Sequence, residues 1–254
     1  MKLITNRQRR ILEMLDADEE LHIAALAESL EVSQETIRRD LTQLESRGAL
    51  KRVHGGAVSL SSPRFRPLAE RAQVKKTEKE TIARLASSCV GEGQTVFLGE
   101  GTTTLALAAR LVNSVSARYM TNMIDIAQLL AANKRNQVSL TGGVLDAEHN
   151  LLTGHGPIES ISTRYFDVVV TGTSGIHPEL GFLDYDEHYA ALHRALAEQS
   201  KRYIVLADHS KFGKGPPICT FPLDRAAAVV TDRGPSRVFG KALKDAGVEL
   251  VIPA

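Results

Sequence analysis

At 254 residues, with 43% hydrophobic and 24% charged residues, the chain is longer than a typical single domain and has a globular composition, which argues against disordered and fibrous classes. Its formal net charge of +1 supplies no global field toward nucleic acid, so affinity for DNA must come from locally placed cations. Cys89 and Cys219 stand far apart, neither with a close cysteine or histidine, so two reduced thiols are expected, with no redox pair, no metal and no cofactor. Residues 1–20 are interrupted by Arg7, Arg9, Arg10, Glu13 and Asp16, and no later stretch approaches the ~20 apolar residues that span a bilayer; a cytoplasmic protein with no membrane partner is expected.

The first predicted elements are two amphipathic helices, with Ile11, Leu12 and Leu15 at helical spacing in one and Ile23, Leu26, Ala27 and Leu30 in the other. Glu31-Val32 makes a tight connection. Ser33 then stands where its hydroxyl can accept from the free amides of a third helix. In that helix Ile37, Leu41 and Leu44 form one apolar stripe, leaving Glu35, Thr36, Arg38, Arg39, Thr42 and Gln43 free on the remaining circumference. Gly48 ends the helix, and residues 49–53 and 57–60 read as strands around His54-Gly55-Gly56, a hairpin that forms a wing.

From residue 33 to residue 66 the cations Arg38, Arg39, Arg47, Lys51, Arg52, Arg64 and Arg66 outnumber Glu35, Asp40 and Glu45, whereas residues 1–32 are acidic on balance. Phosphates need nearby cations and base edges need side chains on a helix that fits the major groove; this helix carries both. An arginine pair alone reads as a solvated face paired with Glu35 or Asp40. Cap, turn, apolar stripe, glycine turn and wing in sequence favour DNA binding instead. Asp40 is expected to be structural, fixing the arginine rotamers.

Residues 61–75, opening with Ser61-Ser62-Pro63 and containing Arg64, Arg66 and Pro67, read as a linker between a domain over 1–60, with its helix-turn-helix at about 20–39, and a domain over 76–254. In the second domain residues 95–98, 118–120, 138–140, 168–171, 203–207, 227–230 and 249–252 read as strands alternating with helices, which predicts an α/β fold with a mostly parallel sheet covered on both faces. Gly99-Glu100-Gly101-Thr102-Thr103-Thr104 leads from the first of these strands into a helix, presenting free amides, a helix dipole and threonine hydroxyls to an anion such as phosphate. Thr121-Asn122, Thr141-Gly142-Gly143, Gly172-Thr173 and Asp208-His209-Ser210-Lys211-Phe212-Gly213 also follow strands, and such loops converge at the carboxyl edge of an open sheet. There Lys211 supplies a mobile cation and Asp208 an acceptor for sugar hydroxyls. His188 and His193 flank the acidic run 183–189, whose spacing matches no strong metal motif; surface or hydrogen-bonded roles are expected.

Val32-Ser33-Gln34-Glu35-Thr36-Ile37-Arg38-Arg39-Asp40-Leu41, with Leu44, Gly48 and Arg52-Val53-His54-Gly55-Gly56-Ala57, resembles the winged helix-turn-helix of the DeoR/GlpR family of bacterial regulators. Glu78-Lys79-Glu80-Thr81-Ile82-Ala83, Gly101-Thr102-Thr103, Thr121-Asn122, Gly142-Gly143, Gly154 and the Asp208–Gly213 run are similar to its second domain, so the resemblance spans nearly the whole chain. It implies DNA contacts from Ser33, Gln34, Thr36, Arg38 and Arg39, with Lys51, Arg52 and His54 on the wing. It also implies a second domain with the fold of ribose-5-phosphate isomerase and the CoA transferases. The effector implied is a phosphorylated sugar or polyol, held by Gly101, Thr102, Thr103, Thr104, Thr121, Asn122, Gly142, Gly143, Asp208 and Lys211, in a homodimer or homotetramer. Two positions depart from the pattern: Gly99 replaces a common acidic residue, with Glu100 one place later, and His193 replaces a common lysine.

The expected function is a sequence-specific regulator binding double-stranded operator DNA, a repressor of a sugar or polyol catabolic operon. The alternatives are a sugar-phosphate isomerase-like enzyme, since fold does not fix function, and an activator sensing an unphosphorylated ligand. No nucleophile-base pair is legible by spacing, and a DNA-binding module is an unusual appendage on an enzyme.

Overall fold

A computed structural model describes residues 4–18, 20–53, 56–58 and 68–253. Chain contacts divide the protein into two compact units, Met1–Arg71 and Ala72–Ala254. The first unit comprises α1 (Asn6–Asp18), β1 (Glu20–His22), α2 (Ile23–Ser29), α3 (Gln34–Glu45), β2 (Lys51–Val53) and β3 (Gly56–Val58). The strands form an antiparallel sheet in the order β1-β3-β2, with Ala57 of β3 opposite both Leu21 and Arg52. The apolar stripes meet as their spacing demands: Ile11, Leu26, Ile37, Leu41 and Leu44 are fully buried in one core. Glu31 adopts a left-handed φ of 51° at the turn, and the amide of Val32 donates to Ala27 O at 3.0 Å, so α2 stops and α3 starts within a few residues. β1 is an addition to the sequence reading; three residues are too few for a legible period.

The stretch read as linker carries a helix, α4 (Leu68–Gln73), across the boundary between the units, and α5 (Lys76–Ala86) follows in the second unit. There follow β4 (Thr95–Leu98), α6 (Thr102–Leu111), β5 (Arg118–Thr121), α7 (Ile124–Ala131), β6 (Gln137–Leu140), β7 (Val144–Asp146), β8 (Leu151–Thr153), α8 (His155–Ile161) and β9 (Val168–Gly172). The unit ends with β10 (Gly175–His177), β11 (Gly181–Asp184), α9 (Glu187–Glu198), β12 (Tyr203–Leu206), β13 (Ile218–Phe221), β14 (Ala228–Val230), α10 (Arg237–Asp245) and β15 (Glu249–Val251). The strands expected from the apolar runs form one parallel seven-stranded sheet, ordered β15-β14-β12-β9-β4-β5-β6. Consecutive strand residues point to opposite faces, and residues 168–171 of β9 and all of β12 are buried, so both faces of the sheet are covered there. On one face Phe97, Val169, Val205 and Val229 pack with Ile161, Leu192, Leu196 and Leu243 from the helices. The antiparallel sheet β10-β11-β13 and the hairpin β7-β8 were not foreseen, because strands this short, bounded by glycine and proline, carry no periodic signal.

The strand order positions the site. From β4 the chain builds outward through β5 and β6, then returns to β9 on the other side of β4 and builds outward to β15. The strand order therefore reverses between β4 and β9, and the carboxyl edge at such a switch point is where ligands of open α/β sheets bind.

Candidate nucleic-acid interface and ligand pocket

Ser33 caps α3 with extended backbone (φ −68°, ψ 150°), its Oγ accepting from the amide of Thr36 at 3.2 Å and lying 2.9 Å from Thr36 Oγ1. With the apolar stripe committed to the core, Ser33, Gln34, Arg38 and Arg39 are exposed and Thr36 is half-buried. Arg38 lies 3.5 Å from Glu35 Oε2 and from Gln34 Oε1, contacts too long and too wet to fix it. Arg39 has no partner among the described residues. The wing strand is pinned to α3, since Glu45 Oε1 accepts from the Arg52 amide at 2.8 Å and Thr42 Oγ1 from Arg52 Nη1 at 2.9 Å. Lys51 and Arg52 stand exposed beside that contact. His54, the remaining residue of the expected contact set, lies outside the described residues, as do Arg64 and Arg66.

Asp40 is structural but does not fix Arg38 or Arg39. It sits on the packing stripe, 5% exposed, where it accepts from Arg7 Nε of α1 and from Gln8 Nε2 at 3.1 Å. Gln8 Nε2 also donates to Gln43 Oε1 at 2.8 Å. An acidic residue at helical register with Ile37 and Leu44 must find buried partners; that signal was present in the sequence, but the partners lie 32 and 33 positions away.

At the sheet edge Gly101 turns the chain into α6 with φ 124°, and Thr104 closes the turn by donating from Oγ1 to Gly101 O at 2.7 Å. Thr104 is therefore spent on the cap, while Thr102 and Thr103 keep half-buried hydroxyls at the helix start. Thr121 is likewise internal, its Oγ1 accepting from the Met123 amide at 3.1 Å. Gly142 and Gly143 serve packing: the Gly142 amide donates to Ser160 Oγ at 2.9 Å, and a Cβ on Gly143 would meet Thr153 O at 2.7 Å and Pro157 Cδ at 2.9 Å. Gly99 cannot carry the acid expected there from the family resemblance without displacing Thr171, whose Cγ2 would lie 2.9 Å from its Cβ.

The acid one place later faces inward. Glu100 Oε1 lies 3.0 Å from His193 Nε2 of α9, and Glu100 Oε2 accepts from Asn122 Nδ2 at 3.2 Å, so the two residues expected to depart from the family pattern meet each other. Burial opposes the charge of Glu100, but His193 and Asn122 together outweigh it and hold the carboxyl below its ordinary range. Burial likewise opposes the imidazolium of His193, yet Glu100 and, more weakly, Asp184 hold it above its ordinary value. Among the described residues, Asn122 Oδ1 and Thr141 Oγ1 are buried without a hydrogen-bond partner, while His193 Nε2 faces only the Glu100 carboxylate. Such atoms are costly unless something fills the space they face.

The loop after β12 supplies the cations. Asp208 Oδ1 accepts from the Ser210 amide and from Lys75 Nζ, each at 3.0 Å, and despite the burial that resists ionisation these donors and Lys211 bring its carboxyl down to about 2. The Lys211 side chain makes no hydrogen bond or ion pair among the described residues; burial lowers its pKa, Lys75 and Lys214 add repulsion, and Asp208 and Asp184 oppose the fall. Glu100, His193, Asp184 and Lys75 were not assigned from sequence, and Lys75 lies 133 positions from its partner.

Residues 7–63 match the DeoR-like helix-turn-helix domain and residues 74–233 the DeoR C terminal sensor domain. The glycerol-3-phosphate regulon repressor of Escherichia coli (strain K12) is 32% identical over 246 residues, covering 97% of this chain and 98% of that protein. The HTH-type transcriptional repressor GlcR of Bacillus subtilis (strain 168) is 33% identical over 243 residues, covering 95% of this chain and 93% of that protein. Among solved structures, ribose 5-phosphate isomerase A from Methanocaldococcus jannaschii superposes with a TM-score of 0.40 at 13% identity, over 54% of either chain, a likeness that carries no argument about function.

Proposed function

Since the chain belongs to the DeoR family of DNA-binding transcriptional regulators and is not an enzyme, we propose that it represses a sugar or polyol catabolic operon and is released from its operator by a phosphorylated effector. The observation that carries this reading is the free outer face of α3. Its cap and apolar stripe leave Ser33, Gln34, Thr36, Arg38 and Arg39 available to a major groove, with Lys51 and Arg52 of the wing meeting the phosphates and His54 as a further proposed contact. Gly101, Thr102, Thr103 and Thr104 present the start of α6 to the effector phosphate and Lys211 supplies the cation, while Asn122, Thr121, Gly142, Gly143 and Asp208 shape the pocket. The relative named for glycerol-3-phosphate supports a phosphorylated polyol as the class. The protein acts in the cytoplasm, as a homodimer or homotetramer on a two-fold operator.

A gel-shift titration against promoter fragments at fixed salt tests the reading. Binding is expected to be sequence-specific, to weaken with salt, and to be reversed by a phosphate ester that also raises the melting temperature. Lys211→Ala should lose that rise for phosphate esters. Binding indifferent to every phosphate ester that stabilises the protein would overturn effector control, and light scattering gives the assembly.

A further inference from the structure

We infer that Glu100, clamped by His193 and Asn122, selects the end of the effector remote from its phosphate, so that the pocket takes monophosphate esters with an uncharged, hydroxyl-bearing end and rejects ligands with a second anionic group there. The inference rests on the effector reading above and adds a substrate class to it. Glu100 sits on the loop that leaves β4, at the point where the strand order reverses between β4 and β9, with its side chain 12% exposed. His193 comes from α9 and Asn122 from the end of β5, so three separate elements converge on one carboxylate. A fully buried amide and a histidine side chain only 4% exposed leave it little freedom to turn away from a ligand.

The unmet valences define what this end accepts. Asn122 Oδ1 has no partner among the described residues and is purely an acceptor; each oxygen of Glu100 keeps a lone pair beyond the donor it already faces. A guest must therefore bring hydrogen-bond donors. Hydroxyls do so, and ionised phosphates and carboxylates do not.

Charge points the same way. Buried Asp184 lies in electrostatic range of both His193 and Lys211. Glu100 lies against the imidazole of His193, and buried Asp184 lies in electrostatic range of the same ring, so carboxylates are concentrated at this end. Lys75 and Lys211 gather around Asp208 at the other end, with Lys214 in electrostatic range, so cations are concentrated there. A ligand with one anionic end matches that polarity, whereas a doubly anionic one must set its second charge against Glu100 at low dielectric.

The test measures affinities of the full-length protein by calorimetry and thermal shift for matched probes: glycerol 3-phosphate against 3-phosphoglycerate, glucose 6-phosphate against 6-phosphogluconate, and inorganic phosphate. In at least one pair the uncharged-ended member is expected to bind tenfold or more tighter than its acid. Glu100→Gln, which keeps the shape of the side chain, should shrink that ratio at least threefold, mainly by admitting the acid; Asp184→Asn, with the Glu100 clamp intact, should shrink it less. Equal binding of acid and neutral members to the parent protein, or an unchanged ratio in both variants, overturns the selector while leaving phosphate sensing in place. Binding of free glycerol or glucose without any response to phosphate esters overturns phosphate sensing itself, and the absence of any response to every probe overturns both.

Discussion

On α3 the guanidinium groups of Arg38 and Arg39 stand in solvent, the nearest carboxylate 3.5 Å from one of them, whereas at the sheet edge Glu100, His193 and Asp208 are buried and held within 3.0 Å of a partner. The contrast follows from what each surface meets. A duplex arrives with its own regular array of charge, so the protein needs cations that are free to find phosphates and bases. A small molecule brings few groups, so a pocket discriminates only if its own polar atoms are fixed beforehand and desolvated. Damage to the first surface should therefore cost binding with little change in stability, and damage to the second should cost both.

The strongest way to break the contrast is to unfold one surface without the other. Leu41→Ala empties a fully buried position beneath the reading face and is expected to destabilise the first unit by about 2–5 kcal/mol. Operator binding should vanish from gel shifts while phosphate esters still raise the melting point of the second unit; loss of both responses would mean the units are not energetically separate. Next in size, Arg39→Ala should weaken operator binding by about 1–3 kcal/mol if the side chain reads a base bidentately, with stability within about 0.5 kcal/mol of the parent. Equal affinities at matched salt would remove Arg39 from the contact set.

The buried surface is sharpened by acid. Asp208 titrates at 3.8 when unfolded and at about 2 when folded, so its stabilisation is fully present above pH 4 and disappears as pH falls through 2. The contribution is at most about 2 kcal/mol. Asp208→Asn should flatten the acid limb of a stability-pH curve over that window, and an unaltered limb would show that Lys75 and Ser210 do not hold the carboxylate in solution. The smallest effect belongs to the exposed pair: Glu35→Gln should change stability by less than about 0.5 kcal/mol, yet strengthen DNA binding slightly at low salt by removing a like charge facing phosphate. Weaker binding would make Glu35 a reader of bases.

How much of this was legible in sequence divides along the same line. The stripe Ile37-Leu41-Leu44, the cap at Ser33 and the apolar runs of the parallel sheet are local patterns, and local patterns set local structure. Thr104, Thr121, Gly142 and Gly143 were visible as loop residues, but their polar groups turn out to serve a cap, a turn and the close approach of α8. Glu100 and His193 were visible only as departures from a family pattern; that they compensate each other depends on α9 returning to the end of β4. Lys75 had no local signal at all.

The order of strands also constrains how the protein is made. Every contact of the β1-β3-β2 sheet is complete once Val58 has been synthesised, but β4 cannot gain its inner neighbour until β9 ends at Gly172. At about 5–20 residues per second that interval is roughly 6–23 s. During it a nascent chain should carry a finished DNA-reading head while Val96, Phe97 and Leu98 still lack one partner strand, the period in which the sheet most needs protection on the ribosome. Stalled chains that stop short of β9 should show a protease-resistant head and a protease-sensitive remainder; uniform sensitivity would mean the head waits for the sheet.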